Sequence, residues 1–288
     1  MNPSQRLRRR GFLGENPTIE PSDFETYLKL RDVEGITKEW QRDCEKWIEK
    51  YLDFVEWKID EDKTPEYFQK IKASPVTYYR KKALQIRRFL QYLKVEWAST
   101  IKLPSETFYS PKRVTKQDIT DTLSFFENHP YYKQIKALVL LGSTSGLRAE
   151  ELYQLLPENI DLDNRMVYVN HNPSIGQTTK TGRSRVSFFT EETRLALKDY
   201  FDYFNNGSNL KELFSPSHIH RMFASSKLKV KDLRKFFSQG WERNCGPTGA
   251  KKLLMGHSGD VDLNHYNAQS NEDLKKIYDN VAIHIIKL

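Results

Sequence analysis

The residues whose types and spacing could do chemistry lie in the second half of the chain. Arg148 follows a Gly146-Leu147 turn in Ser145-Gly146-Leu147-Arg148-Ala149-Glu150-Glu151-Leu152, and Glu151 stands one turn further on, where it can orient that arginine. Lys180 sits in Thr179-Lys180-Thr181-Gly182-Arg183, just before a stretch with strand character. Lys231 and Arg234 are three apart in Val230-Lys231-Asp232-Leu233-Arg234 and so share one helix face. His257 follows a helix and a glycine turn in Leu253-Leu254-Met255-Gly256-His257-Ser258, and Tyr266 comes nine residues later in Leu263-Asn264-His265-Tyr266-Asn267. Arginines supply permanently charged, forked donors that suit the oxygens of a phosphate ester. No cluster of carboxylates suggests a two-metal nuclease, and Asp161 and Asp163, flanking Leu162 on a loop, are too little for a metal site. Each feature is weak alone, because the chain has 15 tyrosines and 46 lysines and arginines. Their order and spacing carry the weight.

Together, Gly146-Leu147-Arg148-x-x-Glu151-Leu152, the hairpin lysine, Asp232-Leu233-Arg234, Leu254-Met255-Gly256-His257 and Tyr266 resemble the catalytic signature of the tyrosine recombinases of the phage integrase family. The resemblance covers roughly residues 112–282, whereas the first half resembles the family's core-binding domain in character only. One departure is Lys231, which stands where the family usually has histidine. Some archaeal integrases and the related type IB topoisomerases carry lysine there, which points to an archaeal virus, plasmid or chromosome and leaves the proton-transfer role of that position open.

The resemblance implies that Tyr266 attacks a scissile phosphodiester, leaving a 3′-phosphotyrosine and a free 5′-hydroxyl. A second strand's 5′-hydroxyl then reverses the step without ATP. Arg148 and Arg234 would hold the nonbridging oxygens and His257 would add a third hydrogen bond, as fixed donors aimed at developing charge. Lys180 would protonate the leaving oxygen, Lys231 would assist the phosphate or share that proton, and Glu151 would orient the site. An unperturbed tyrosine hydroxyl titrates near ~10, so neighbouring cations would favour the phenolate. No cofactor and no metal enter this scheme. A type IB topoisomerase-like enzyme, a catalytically inactive DNA-binding regulator and a metal-dependent nuclease are the competing readings.

The elements that must position these residues make a fold expected to be mainly α with a small antiparallel β-sheet. The whole is expected to be a two-domain DNA clamp, with a helical core-binding domain followed by an α+β catalytic domain. Residues 1–22 read as a basic arm, 23–102 as the helical domain, 103–115 as a linker and 116–288 as the catalytic domain with a C-terminal helix. In the first domain Trp40, Cys44, Trp47, Tyr51 and Val55 mark one apolar helix face, with Thr37 as N-cap. A second helix, from about Pro75 to Lys94, buries Ala83, Ile86, Leu90 and Leu93. Its other face carries Arg80, Lys81, Arg87, Arg88 and Lys94, a cationic stripe suited to phosphates, and Lys112 and Arg113 in the linker could cross a DNA backbone. In the second domain helices are expected over about 116–128, 132–144, 148–155, 191–204, 216–224, 230–244, 248–255 and 271–286. Strands are expected at Met166–Val169 and Arg185–Phe189, joined by a long polar connection. Leu274, Ile277, Val281 and Ile285 give the last helix an apolar face, which packs either on its own domain or on a neighbouring copy.

Composition fits a partner rather than naming one. The 288 residues carry a formal net charge of +8, which favours a polyanion. The expected partner is double-stranded DNA with a specific recombination site, bound by a homo-tetramer that is a monomer or weak oligomer when free of DNA. No apolar run approaches a membrane span. The arginines at 6, 8, 9 and 10 lack the apolar segment that a secretory signal needs. Cys44 and Cys245 are far apart and belong to no Cys-x-x-Cys motif, so neither a disulfide framework nor a zinc finger is expected. The expected location is cytoplasmic and nucleoid-associated.

Overall fold

A computed structural model describes residues 18–105, 110–205, 212–257, 269–281 and 283–285. The chain divides into two compact units, Met1–Ser110 and Pro111–Leu288, each with its own apolar core. No helix among the described residues is long and apolar enough to cross a membrane.

The first unit is helical: α1 (Pro21–Val33), α2 (Lys38–Phe54), α3 (Lys63–Ile71) and α4 (Val76–Tyr92), followed by a short 3-10 turn at Glu96–Thr100. The Thr37 hydroxyl accepts from the Trp40 N–H at 3.3 Å and starts α2. That helix buries Cys44, Trp47, Ile48, Tyr51 and Leu52. Against it α4 packs Ala83, Ile86, Phe89 and Leu90. Phe89 meets the rings of Phe24 and Tyr27 edge-on at 5.7 and 5.1 Å. Residues 18–20 are not loose: Ile19 is buried and donates to the Trp57 carbonyl, and Thr18 bridges Lys58. The rest of the expected arm, through residue 17, lies outside the described residues.

The expected cationic stripe on α4 is divided in use. Arg80 donates to the Pro104 carbonyl and Arg87 to the Ile101 carbonyl, so both fasten the segment that leaves the helix. Lys81, Arg88 and Lys94 are exposed. The helical spacing is as read, but two carbonyls without regular partners lie within reach of its longest side chains and take them.

The second unit is built around α6 (Tyr132–Ser145), in which every residue from Gln134 to Ser145 except Lys136 is buried. It packs against α8 (Glu191–Asn205) and α10 (Val230–Arg243). A Cβ at Gly142 would stand 2.8 Å from Leu233 Cδ1, so this glycine lets α10 cross closely. Around that core lie α5 (Lys116–Phe125), α7 (Ala149–Tyr153), α9 (Pro216–Met222), α11 (Thr248–Met255) and α12 (Asn271–Val281). The Thr115 hydroxyl caps α5, accepting from the Asp118 N–H while Asp118 accepts from the Thr115 N–H.

The sheet has three antiparallel strands in the order β1 (Ile160–Asp161), β2 (Met166–Val169), β3 (Arg185–Phe188). Register pairs Val169 with Arg185 and Met166 with Phe188. Asp161 was expected on a loop but pairs with Met166 in β1, because the tight turn at 162–165 folds the chain straight back. Within this chain the C-terminal helix packs on its own unit, burying Leu274, Tyr278 and Val281, with Ile283 and Ile285 buried beyond it. The Tyr278 hydroxyl donates to the Thr144 carbonyl at 2.8 Å and the Ile285 N–H to Glu192 Oε1 at 2.7 Å. That helix ends at Val281, short of the expected 286.

Candidate active site

Three guanidiniums converge on one helix end, and two of them share one carboxylate. Arg148 stands just outside α7 in extended conformation, as its N-cap rather than as the first helical residue expected. The reason is Glu151, whose carboxylate accepts the Arg148 backbone N–H at 2.7 Å and thereby caps the helix. The same carboxylate accepts Arg148 Nη1 at 2.8 Å and both terminal nitrogens of Arg185 at 2.9 and 2.7 Å.

The second anchor is the C-terminus of α11. Gly256 adopts a left-handed conformation with φ +65 and ends the helix: its N–H returns to the Leu253 carbonyl and the His257 N–H to Lys252. The carbonyls at this end accept arginines: Arg185 Nε on Leu254 at 2.8 Å, Arg234 on Met255 at 2.8 Å and Arg148 on Gly256 at 3.1 Å. The partial negative charge of a helix C-terminus favours cations here. Arg234 also donates to the Gly146 carbonyl at 2.7 Å, which ties α10 to the end of α6. Gly146 has φ +67, and a Cβ there would lie 2.5 Å from the Phe237 ring. The two glycines that punctuate the sequence motifs therefore form the turns to which the arginines are fastened.

The electrostatics are those of an anion site. Two guanidiniums, those of Arg148 and Arg185, pair with one carboxylate, and a third, that of Arg234, is fastened to backbone carbonyls beside them. Burial works to raise the Glu151 pKa, but Arg185 and Arg148 overcome it and hold the group at about 2. Burial first, and then the other guanidiniums, lower Arg234 to about 10, which leaves it charged at neutral pH. His257 is exposed beside the cluster, and partial desolvation together with Arg234, Arg148, Lys251 and Arg185 pushes its pKa below the usual value. At neutral pH its ring is neutral and offers one N–H.

Other sequence-predicted residues are placed differently. Lys231 lies in the first turn of α10, at a cavity of about 300 Å³ lined also by Ala149, Glu150, Tyr153, His220 and Phe223. Lys180 is exposed on a turn closed by the Gly182 N–H on the Thr179 carbonyl. Lys112 forms an ion pair with buried Asp232 at 3.1 Å, so it helps seat α10. Arg113 is exposed. Tyr266 lies outside the described residues. Arg185 was read only as the start of a strand. No local pattern in Arg185-Val186-Ser187-Phe188 sets that arginine apart from a solvated strand end.

A family model described as the phage integrase family matches residues 112–272, more than half of the chain. The chain belongs to this family. Among phage integrase relatives, the tyrosine recombinase XerA of Saccharolobus solfataricus is 29% identical over 178 residues, covering 62% of this chain and 53% of that protein. The tyrosine recombinase XerC of Escherichia coli O157:H7 is 24% identical over 198 residues, covering 65% and 66%. The match thus spans about half the length of the archaeal relative. Among solved structures, the Tn1549 transposon integrase in complex with a circular intermediate DNA aligns with a TM-score of 0.65 at 16% identity, covering 89% of this chain and 98% of that one. The lambda integrase bound to DNA gives 0.63 at 14% identity, covering 83% and 92%. These likenesses show a shared fold.

Proposed function

We propose that this phage integrase family member is a site-specific DNA recombinase that cleaves and rejoins strands through a 3′-phosphotyrosyl intermediate. The observation that carries the proposal is the convergence of Arg148, Arg234 and His257 at the end of α11, nine residues before Tyr266. Arg148 and Arg234 would grip the nonbridging oxygens of the scissile phosphate and oppose the charge that builds on them during attack. The neutral imidazole of His257 would donate one further hydrogen bond. Tyr266 would supply the nucleophile, becoming bonded to phosphorus as the 5′-oxygen departs. Lys180, on its exposed turn, would reach that oxygen with a proton, and Lys231 would assist the phosphate from the start of α10. Glu151 acts through the arginines it holds.

The partner is a specific duplex, with four protomers at synapsis and an intracellular site of action on DNA. Exposed Lys81, Arg88, Lys94 and Arg113 would meet backbone phosphates. Arg80, Arg87 and Lys112 would contribute by holding their segments in place. A test is to incubate the chain with nicked duplexes in EDTA and look for a denaturant-resistant protein–DNA adduct. An adduct supports the proposal. Cutting that needs added magnesium and leaves no adduct contradicts it.

A further inference from the structure

Of the three guanidiniums at the site, Arg185 had no expected role. We propose that Arg185 is a positioning residue: by offsetting the charge of Glu151 it leaves Arg148 able to hold a phosphate. The proposal rests on the phosphate-ester reading above and deepens it.

The geometry separates the tasks of the two arginines. Arg185 commits all three kinds of guanidinium nitrogen to the protein: Nη1 and Nη2 to the two Glu151 oxygens, and Nε to the Leu254 carbonyl. Its side chain is only 10% exposed, against 24% for Arg148. Arg148 gives one nitrogen to Glu151 and one to the Gly256 carbonyl, so its fork is not closed on the carboxylate. Glu151 is needed because it caps α7 and fixes the Arg148 backbone. Its charge, however, competes with any phosphate for the Arg148 guanidinium, and the competition is strong where water is excluded. A second, permanently charged fork on the same carboxylate weakens that competition without removing the cap. The fit is tight: a Cβ at Gly256 would stand 2.9 Å from the Arg185 guanidinium.

A purely mechanical role is the rival, since Arg185 also ties β3 to α11 through Leu254. Charge cancellation tells the two apart. The intact chain and its Arg185→Met, Arg185→Lys and Arg185→Met/Glu151→Gln variants are titrated with inorganic phosphate, and adduct formation on a nicked duplex is timed in parallel. Arg185→Met is expected to weaken phosphate binding by roughly tenfold and to slow the adduct, because one buried positive charge is lost. Adding Glu151→Gln is expected to restore phosphate binding to within about threefold of the parent, since the competing negative charge goes too. Arg185→Lys keeps the charge but loses the fork, so its loss is expected to be smaller than that of Arg185→Met. The proposal is overturned if the second substitution restores nothing, or if Arg185→Met binds phosphate as the parent does. If Arg185→Met does not fold, a folded Arg185→Lys that has lost more than about tenfold overturns it instead. A parent that binds phosphate but forms no adduct sinks strand cleavage and leaves the Arg185 comparison decisive. A parent that binds no phosphate sinks both.

Discussion

At the scale of single residues, the candidate site is a balance of charge around Glu151. Its folded pKa of about 2 lies below the ordinary carboxylate value of 4.5, so the group stabilises the fold above that ordinary value. The contribution is lost as pH falls from about 4.5 toward about 2, and is on the order of 3 kcal/mol for a shift of this size. Denaturant unfolding of the parent between pH 7 and pH 3 is expected to show this loss, and Glu151→Gln is expected to flatten it. Equal slopes for the two would mean that other carboxylates dominate. Gly256→Ala attacks the same centre through the backbone. It forces a left-handed φ on alanine and sets a methyl against Arg185, so a loss of at least about 1 kcal/mol is expected in thermal or denaturant melts, with a matching loss of phosphate affinity. The glycines, Arg148, Arg234 and His257 were legible because motif order fixes them. Arg185 was not, because in Arg185-Val186-Ser187-Phe188 nothing local distinguishes a buried ion-pair partner from a solvated strand end.

At the scale of elements, helices were legible wherever one apolar face repeats, as in α2 and α4. They were also legible where the apolar run is unbroken, as in α6. What the sequence could not show is how polar side chains at element ends are used. Arg80 and Arg87 have the spacing of a DNA-facing stripe, yet they reach the carbonyls at 104 and 101. Arg87→Ala is therefore expected to destabilise the first unit by about 1 kcal/mol through a lost hydrogen bond. Arg88→Ala is expected to leave stability unchanged while lowering the salt slope of DNA binding by about 0.9. Circular-dichroism melts and binding at several salt concentrations separate the two effects, and a reversed pattern would restore Arg87 to the DNA face. The two-residue strand β1 was missed because it is too short to show alternation. The C-terminal helix packs on its own unit because Tyr278 reaches a carbonyl at the end of α6, where a helix leaves acceptors without partners. Tyr278→Phe is expected to cost about 1 kcal/mol in urea unfolding, and no change would deny that hydroxyl its part in anchoring the helix.

At the scale of the whole molecule, a basic chain of two compact units in the phage integrase family brings three guanidiniums together where α7, β3, α10 and α11 meet. The family was readable from the sequence because its motifs are short, ordered and tied to turns that only certain residues can make. The DNA target was not, because affinity from backbone charge carries no sequence information. In the proposed reaction the charge of these guanidiniums serves covalent attack by Tyr266. The most direct measurement is to digest the adduct formed on a nicked duplex in EDTA and find the DNA-bearing peptide by mass spectrometry. DNA on Tyr266, with no adduct from Tyr266→Phe, is the expected result. DNA on another residue, or an adduct that survives Tyr266→Phe, would contradict it.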